Sequence, residues 1–314
     1  MRKAILLYNP LSGRRQGRRA AEIEAAAAVL RAARVEACTA PTQAAGNCAG
    51  QVKEAIAAGC DTVFACGGDG TVHDVLQGLV GTEAALGIIP LGTANSVAHD
   101  LRLPLSPSGA ARAALRSAPQ RIAVGRLEYR DFEQQTSSRY FVMIVGVGVD
   151  AHLFYKLNPA AKRHLGMAAY YAKATRLWLT HRMENFAVEV GDIGHPGQIE
   201  VSQLLAVRIQ DFGGVLRELA PGASLERDDL RLVLFRTRSR AAYLNYVLRG
   251  LFGGRWAVPG IELLHATVAS CRVLSSEAGE SRKILVEADG ELLGTLPAEI
   301  SIVPNALTIL VPQH

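Results

Sequence analysis

An apolar run at 61–66 stops on glycine. The turn Gly67-Gly68-Asp69-Gly70-Thr71 follows, and 72–79 then carries apolar residues at helical spacing. This order constrains the fold more than any other feature of the chain. A buried strand that passes through glycine into a helix belongs to a strand–helix–strand unit, whose strands lie parallel. The same turn is a ready anion site. Glycine lets backbone N–H groups approach a phosphate closely, and the helix dipole favours negative charge there. Asp69 stands in the middle of the turn. A carboxylate beside a phosphate is repelled unless a metal or a proton-bearing group mediates. The combination points to phosphoryl transfer with a divalent cation.

The flanking chain repeats the pattern. Residues 4–8 read as a strand and 9–13 as a turn. An alanine-rich helix is predicted over 16–33, a second strand over 34–39 and a helix over 48–58. The strand into Gly67 is third, and 85–90 is fourth. Leu91-Gly92-Thr93-Ala94-Asn95 then turns into a short helix over 96–101. Alternating strands and helices predict a doubly wound parallel sheet, with ligands at the carboxyl ends of its strands. The turns after strands one, three and four should therefore line one edge.

The pattern changes near Pro119. Short β-like runs follow at 122–129, 139–149, 186–190, 200–210, 230–235, 263–274, 283–288, 299–303 and 307–311. They predict a mostly antiparallel sandwich or barrel, interrupted by helices at about 160–182 and 240–251. The fold class is thus an α/β domain over 1–118 plus a β-sandwich domain over 119–303. A length of 314 residues also favours two domains.

Composition narrows the setting. With 49% hydrophobic and 20% charged residues, the chain can bury an ample core and is not a disordered one. The five cysteines form no Cys-x-x-Cys pair and read as reduced thiols of a cytoplasmic protein. The eight histidines show no metal-ligand spacing. The apolar part of the N-terminus is too short for a signal peptide. No run reaches the roughly 18 apolar residues that span a bilayer, so membrane contact is expected to be peripheral.

Five motifs occur in order: Asn9-Pro-x-Ser-Gly13, Gly67-Gly-Asp-Gly-Thr-Val72, Pro90-Leu-Gly-Thr-Ala-Asn95, Gly146-Val-Gly-Val-Asp-Ala151 and Asp289-Gly-Glu291. Neither a Walker loop nor a dinucleotide fingerprint is present at the glycine turn. Together the motifs resemble the diacylglycerol kinase catalytic family, which includes soluble bacterial lipid kinases and relatives of sphingosine and ceramide kinases. The resemblance implies a nucleotide-binding, NAD-kinase-like α/β domain, a C-terminal β-sandwich, and an active site in the cleft between them. It also implies a final strand that returns toward the first domain, so that the tail after about Pro304 belongs there.

Residue by residue, the resemblance assigns ATP and its phosphates to Asn9, Gly67, Gly68, Asp69, Gly70, Thr71 and Thr93. Thr39 would face the nucleotide and Asn95 would lie in the same pocket. Asp69 would position Mg²⁺ or a phosphate-bound water network. Glu291 would accept the proton of a lipid hydroxyl, with Asp289 beside it. Two carboxylates two residues apart on an extended strand point the same way, and close like charges raise one pKa. Which of the two acts as base stays open. Without the other motifs the triplet reads as a hairpin turn between 283–288 and 292–296, which is compatible with the catalytic role. The loop 225–230 resembles one where family members hold a structural cation. Its ligands would be the Asp228 carboxylate and the carbonyls of Leu225 and Leu230, a set suited to Mg²⁺ or Ca²⁺. An acidic surface turn is the alternative there.

The chain also departs from the family pattern. Asp229 stands where Gly is usual, which strains the turn if positive φ is required. Ser96 replaces an acid, keeping the capacity to cap a helix but bringing no charge. His73-Asp74 replaces Asn-Glu. Arg14 is near enough to reach a phosphate, whereas Arg15, Arg18 and Arg19 read as the exposed face of the first helix.

Between Ala151 and Met183, and again over 230–261, there is no Asp or Glu, while Arg, Lys, Tyr and Trp interleave. Such segments suit a peripheral anionic membrane surface. No nucleic-acid module accompanies them, and nucleic acid is not expected as a partner. A homodimer stays open. The leading expectation is a cytoplasmic, membrane-peripheral kinase that uses ATP and Mg²⁺ on a hydroxyl of diacylglycerol or a related lipid. An NAD kinase and a nucleotide-binding regulator without turnover are the alternatives.

Overall fold

The computed structural model describes residues 1–10, 18–43, 47–149, 151, 183–191, 197–214, 219–254, 256–274 and 283–313. The expected helix over 160–182, its basic residues, and Ser12, Gly13, Arg14 and Arg15 lie outside them.

Four parallel strands open the chain: β1 (Lys3–Tyr8), β2 (Glu36–Pro41), β3 (Thr62–Gly67) and β4 (Ala85–Pro90), in the spatial order β2-β1-β3-β4. Their alternating side chains feed two cores. Leu7, Val63, Ala65, Leu86 and Ile88 meet α2 (Cys48–Ala57) and α3 (Asp69–Leu79) on one face. Leu6, Phe64, Cys66 and Ile89 meet α1 (Arg19–Ala32) and α5 (Pro107–Ala114) on the other. Sheets covered on both faces require unbroken apolar strands, and β3 and β4 are buried at every position. α4 (Ser96–Asp100) follows the turn after β4.

β5 (Ser117–Arg130) begins the antiparallel part. It pairs along its length with β15 (Glu291–Pro312), whose Thr308 and Ile309 also pair in parallel with Ala85 and Leu86 of β4. The remaining strands are β6 (Thr136–Phe141), β7 (Ile144–Gly148), β8 (Phe186–Val190), β9 (Ile199–Val201), β10 (Gln203–Val207), β11 (Leu230–Phe235), β12 (Ile261–Ala266), β13 (Val268–Val273) and β14 (Leu285–Ala288). All the described strands join one hydrogen-bonded network. Leu127, Phe141, Val147, Phe186, Val188 and Val286 fill the inner core of the antiparallel part. α6 (Arg240–Phe252) packs Tyr243 and Tyr246 on Phe235.

Several expected boundaries move for local reasons. β2 starts at Glu36 rather than 34, because Arg34 takes a φ of +64° in closing α1. The run 139–149 splits because the N–H groups of Val142, Met143 and Ile144 turn to the Asp289 carboxylate. The run 200–210 breaks at Ser202, whose N–H donates to Phe235 O. The runs 299–303 and 307–311 are one strand. Asn305, at φ +50°, absorbs the irregularity in register without ending it.

Candidate active site

The ends of β1, β3 and β4 come together as the parallel order demands. Asn9 N–H donates to Cys66 O, and Leu91 N–H donates to Gly67 O at 2.8 Å. The two glycine turns then touch: a Cβ on Gly92 would stand 2.4 Å from Gly68 Cα. Any side chain on Gly92 would push the turns apart, so glycine is required by contact. Gly67 closes β3, Gly68 precedes α3, and Asp69, Gly70 and Thr71 form its first turn. The first N–H groups of such a helix lack intrahelical acceptors. Thr39 is half-buried on β2 opposite Leu6, and Thr93 is exposed on the turn after β4. Asn95 occupies the left-handed region (φ +52°), and its side chain braces its own turn. Oδ1 accepts from Gly92 N–H at 2.8 Å and Nδ2 donates to Gly92 O at 3.2 Å.

The Asp69 carboxylate is committed to the protein. Its Oδ1 accepts the Val97 N–H at 3.4 Å, and it also bonds the N–H and hydroxyl of Ser96. Burial raises its pKa, and these donors offset part of the rise. Asp69 thus caps α4 from a distance. Ser96 does not cap the helix as expected, because it is the first helical residue and Asn95 precedes it.

Asp289 and Glu291 do not share an extended strand. Asp289 (φ +50°) and Gly290 (φ +86°) form the hairpin turn between β14 and β15. Turning the chain there separates the carboxylates. Asp289 is buried and accepts from Val142 N–H at 3.1 Å and from Met143 and Ile144 N–H at 3.0 Å. Glu291 reaches the first turn of α3, where a Cβ on Gly70 would lie 3.7 Å from its Oε1. Burial raises the Glu291 pKa, against the nearby charges of His73 and Arg139.

His73 stands between the two acids. Nδ1 is 3.3 Å from Asp289 Oδ2, and Nε2 is 3.9 Å from Glu291 Oε2. Burial alone would lower its pKa. The hydrogen bond and charge of Asp289, joined by Glu291 and Asp74, reverse the direction and raise it. Asp74, Gln77 and Arg139 complete a small cavity beside His73 and Glu291. Gln77 clamps α3 to β6 through both Tyr140 N–H and Tyr140 O.

Three further residues carried no clear signal in the sequence. Arg19 is buried, not part of an exposed face, and its Nη2 donates to Leu91 O at the β4 turn. Asp100 accepts the N–H groups of Gln210 and Asp211, tying α4 to the segment after β10. Arg208, wholly buried, reaches the loop 225–230. Its Nη1 donates to Arg227 O at 2.6 Å and Asp229 O at 2.8 Å, and its Nη2 donates to Leu225 O at 3.3 Å. The Leu225 carbonyl assigned to a cation therefore already faces a positive charge. Asp228 is exposed, while Leu230 is buried at the start of β11. Asp229 does not take a positive φ, so its side chain brings no strain of that kind. Among the described residues no His, Cys, Asp or Glu cluster of three or more is placed to hold a metal.

The membrane expectation also changes in detail. Over 230–261 the described arginines turn largely to neighbours. Arg236 pairs with Glu262, Arg238 donates to Asn185, and Arg249 is buried against the Tyr246 ring. The outward side of α6 is apolar instead: Leu244, Val247, Leu248, Leu251 and Phe252 are exposed, with Trp256 beyond. No described helix is long and apolar enough to cross a membrane.

Comparison with known proteins agrees with this architecture. Residues 3–127 match the diacylglycerol kinase catalytic domain, and 143–311 match the YegS C-terminal NAD kinase beta sandwich-like domain. A Bacillus subtilis protein named diacylglycerol kinase is 27% identical, with 100% of this chain and 98% of that protein aligned. A Mycobacterium tuberculosis protein of the same name is 29% identical over 99% of this chain and 96% of its own length. Among solved structures, a diacylglycerol kinase of Bacillus anthracis superposes with a TM-score of 0.72 at 20% identity, covering 99% of this chain and 97% of that one. Yeast NADH kinase, solved with NADH, superposes at 0.54 with 9% identity, covering 100% of this chain and 84% of its own.

Proposed function

The chain belongs to the family that joins a diacylglycerol kinase catalytic domain to a YegS-type C-terminal NAD kinase beta sandwich-like domain, and from that premise we propose an ATP-dependent lipid kinase. Its substrate would be the free hydroxyl of diacylglycerol or a related lipid. The observation that carries the reading is Glu291, an acid from the last strand held over Gly70 at the start of α3. A base from one half of the chain thus meets the phosphate-binding turn of the other.

In this reading the glycine turn after β3, with Asn9, Thr39, Thr71 and Thr93, receives ATP and its phosphates. Asp69 suits Mg²⁺ arriving with the nucleotide, since that ion is commonly held by one or two carboxylates together with substrate phosphates. Its chemistry is charge neutralisation on the transferred phosphoryl group. Glu291 takes the proton of the lipid hydroxyl as its oxygen bonds to the γ-phosphorus, while the bridging P–O bond to ADP breaks. A pKa raised by burial favours that role. Asp289 is spent on three N–H groups and serves by orienting His73 and the turn. The exposed apolar side of α6, in a stretch without acids, is the surface that suits an anionic bilayer carrying the lipid.

Purified protein incubated with γ-labelled ATP and a panel of diacylglycerol, sphingosine, ceramide and NAD tests the reading. Label is expected in a diacylglycerol-class lipid, with kcat falling about 10²- to 10⁴-fold in Glu291→Gln. Label in NAD alone, or tight ATP binding in calorimetry with no product, would sink it in favour of a dinucleotide kinase or a regulator.

A further inference from the structure

The loop 225–230 offers carbonyl oxygens to a positive group, and that group is part of the chain. Arg208 leaves the end of β10 with none of its side chain exposed. Its guanidinium donates to the carbonyls of Arg227, Asp229 and Leu225 around the loop. A fourth bond, at 2.7 Å, reaches Ala123 O on β5. Its Nε has no partner. A guanidinium stays protonated at neutral pH, so these carbonyls face a full positive charge. The Asp229 carboxylate is turned to Arg227 and to His265, at 3.2 Å from the latter, rather than inward.

We propose that the Arg208 guanidinium is the resident cation of this loop, standing in place of a divalent metal ion. The carbonyl array satisfies it the way oxygen ligands satisfy Mg²⁺ or Ca²⁺. A planar fork can address several acceptors at once, and a fixed side chain needs no ion from solution. A metal seated between the Leu225 carbonyl and Asp228 would share an oxygen with a guanidinium and be repelled by it. The loop, β10 and β5 are therefore fastened together without metal.

The test uses the full chain without nucleotide, so its outcome does not depend on kinase activity. Chelator-treated protein is titrated with CaCl₂ or MgCl₂, following melting temperature by scanning calorimetry and uptake by equilibrium dialysis. The expected result is an unchanged melting temperature and no saturable ion at the loop. Arg208→Gln is expected to melt at lower temperature, and added Ca²⁺ is expected to restore part of the loss. Should that variant not fold, the untreated chain and Asp228→Asn decide the matter. Uptake of one ion per chain that Asp228→Asn abolishes would overturn the proposal. Uptake that Asp228→Asn leaves unchanged arises elsewhere and supports it.

Discussion

His73 separates two acids that lie two positions apart in the chain. As the proposed base, Glu291 must be ionised to take a proton, so kcat should fall as pH drops through its raised pKa, above the ordinary 4.5. The charge of His73 holds that pKa down. His73→Asn, which restores the residue usual in the resembled family, is therefore expected to move the acid limb of the kcat profile to higher pH. A purely packing role for His73 would leave the limb in place. Stability responds with a definite sign as well. The folded pKa of His73 lies above 6.5, so its pairing with Asp289 stabilises fully below that value and fades as pH rises through the folded pKa. The melting difference between the native chain and His73→Asn should accordingly be larger at about pH 6 than at about pH 9. The hairpin turn at Asp289-Gly290 was legible, since the triplet stands between two β-like runs. The place of His73 between the acids was not, because the positive φ at Asp289 and Gly290 decides which way the acids face.

Elements were read more successfully than their ends. β8 and β11 fall at their expected residues, and α6 within one residue of its end, because each carries a plain period bounded by polar or breaking residues. β15 was read in pieces because Pro304 and Asn305 look like a stop, yet a bulge accommodates them within the strand. α6 shows what periodicity leaves out. Its sequence displays arginines, but the fold draws Arg249 inward and leaves five apolar side chains outside. Burying one such side chain contributes about 1.5–3 kcal/mol. The pair Leu248→Glu with Leu251→Glu is thus expected to weaken cosedimentation with phosphatidylglycerol-containing vesicles by tenfold or more, roughly 1.4 kcal/mol at least, with melting temperature unchanged. Undiminished binding would remove α6 from the membrane face. A changed elution volume in vesicle-free gel filtration would mark it as a contact between copies.

At the scale of the whole molecule, the turns after β3 and β4 rest on the antiparallel part of the chain. Asp100 joins α4 to Gln210 and Asp211, and Asp69 joins α4 to the glycine turn. Removing the first link by Asp100→Ala is expected to raise KM for ATP several-fold while Glu291 and its pH dependence stay as they are, since the turn after β4 loses its outer support. Steady-state kinetics at fixed lipid checks this, and an unaltered KM would show that α4 is held adequately by Asp69 alone. The parallel order of strands and the gathering of three turns at one edge could be read in advance, because βαβ sequence signals dictate both. The links through Asp100, Arg19 and Arg208 could not, since each joins positions far apart in the chain by a single polar side chain.

The pairing of β15 with β4 has a consequence in time. Residues 308 and 309 lie beside 85 and 86, so that edge of the parallel sheet stays uncovered until β15 has been made. Contacts of such long sequence separation close slowly. During synthesis the first four strands would thus wait, open-edged, for a strand that follows them by more than half of the residues in the chain.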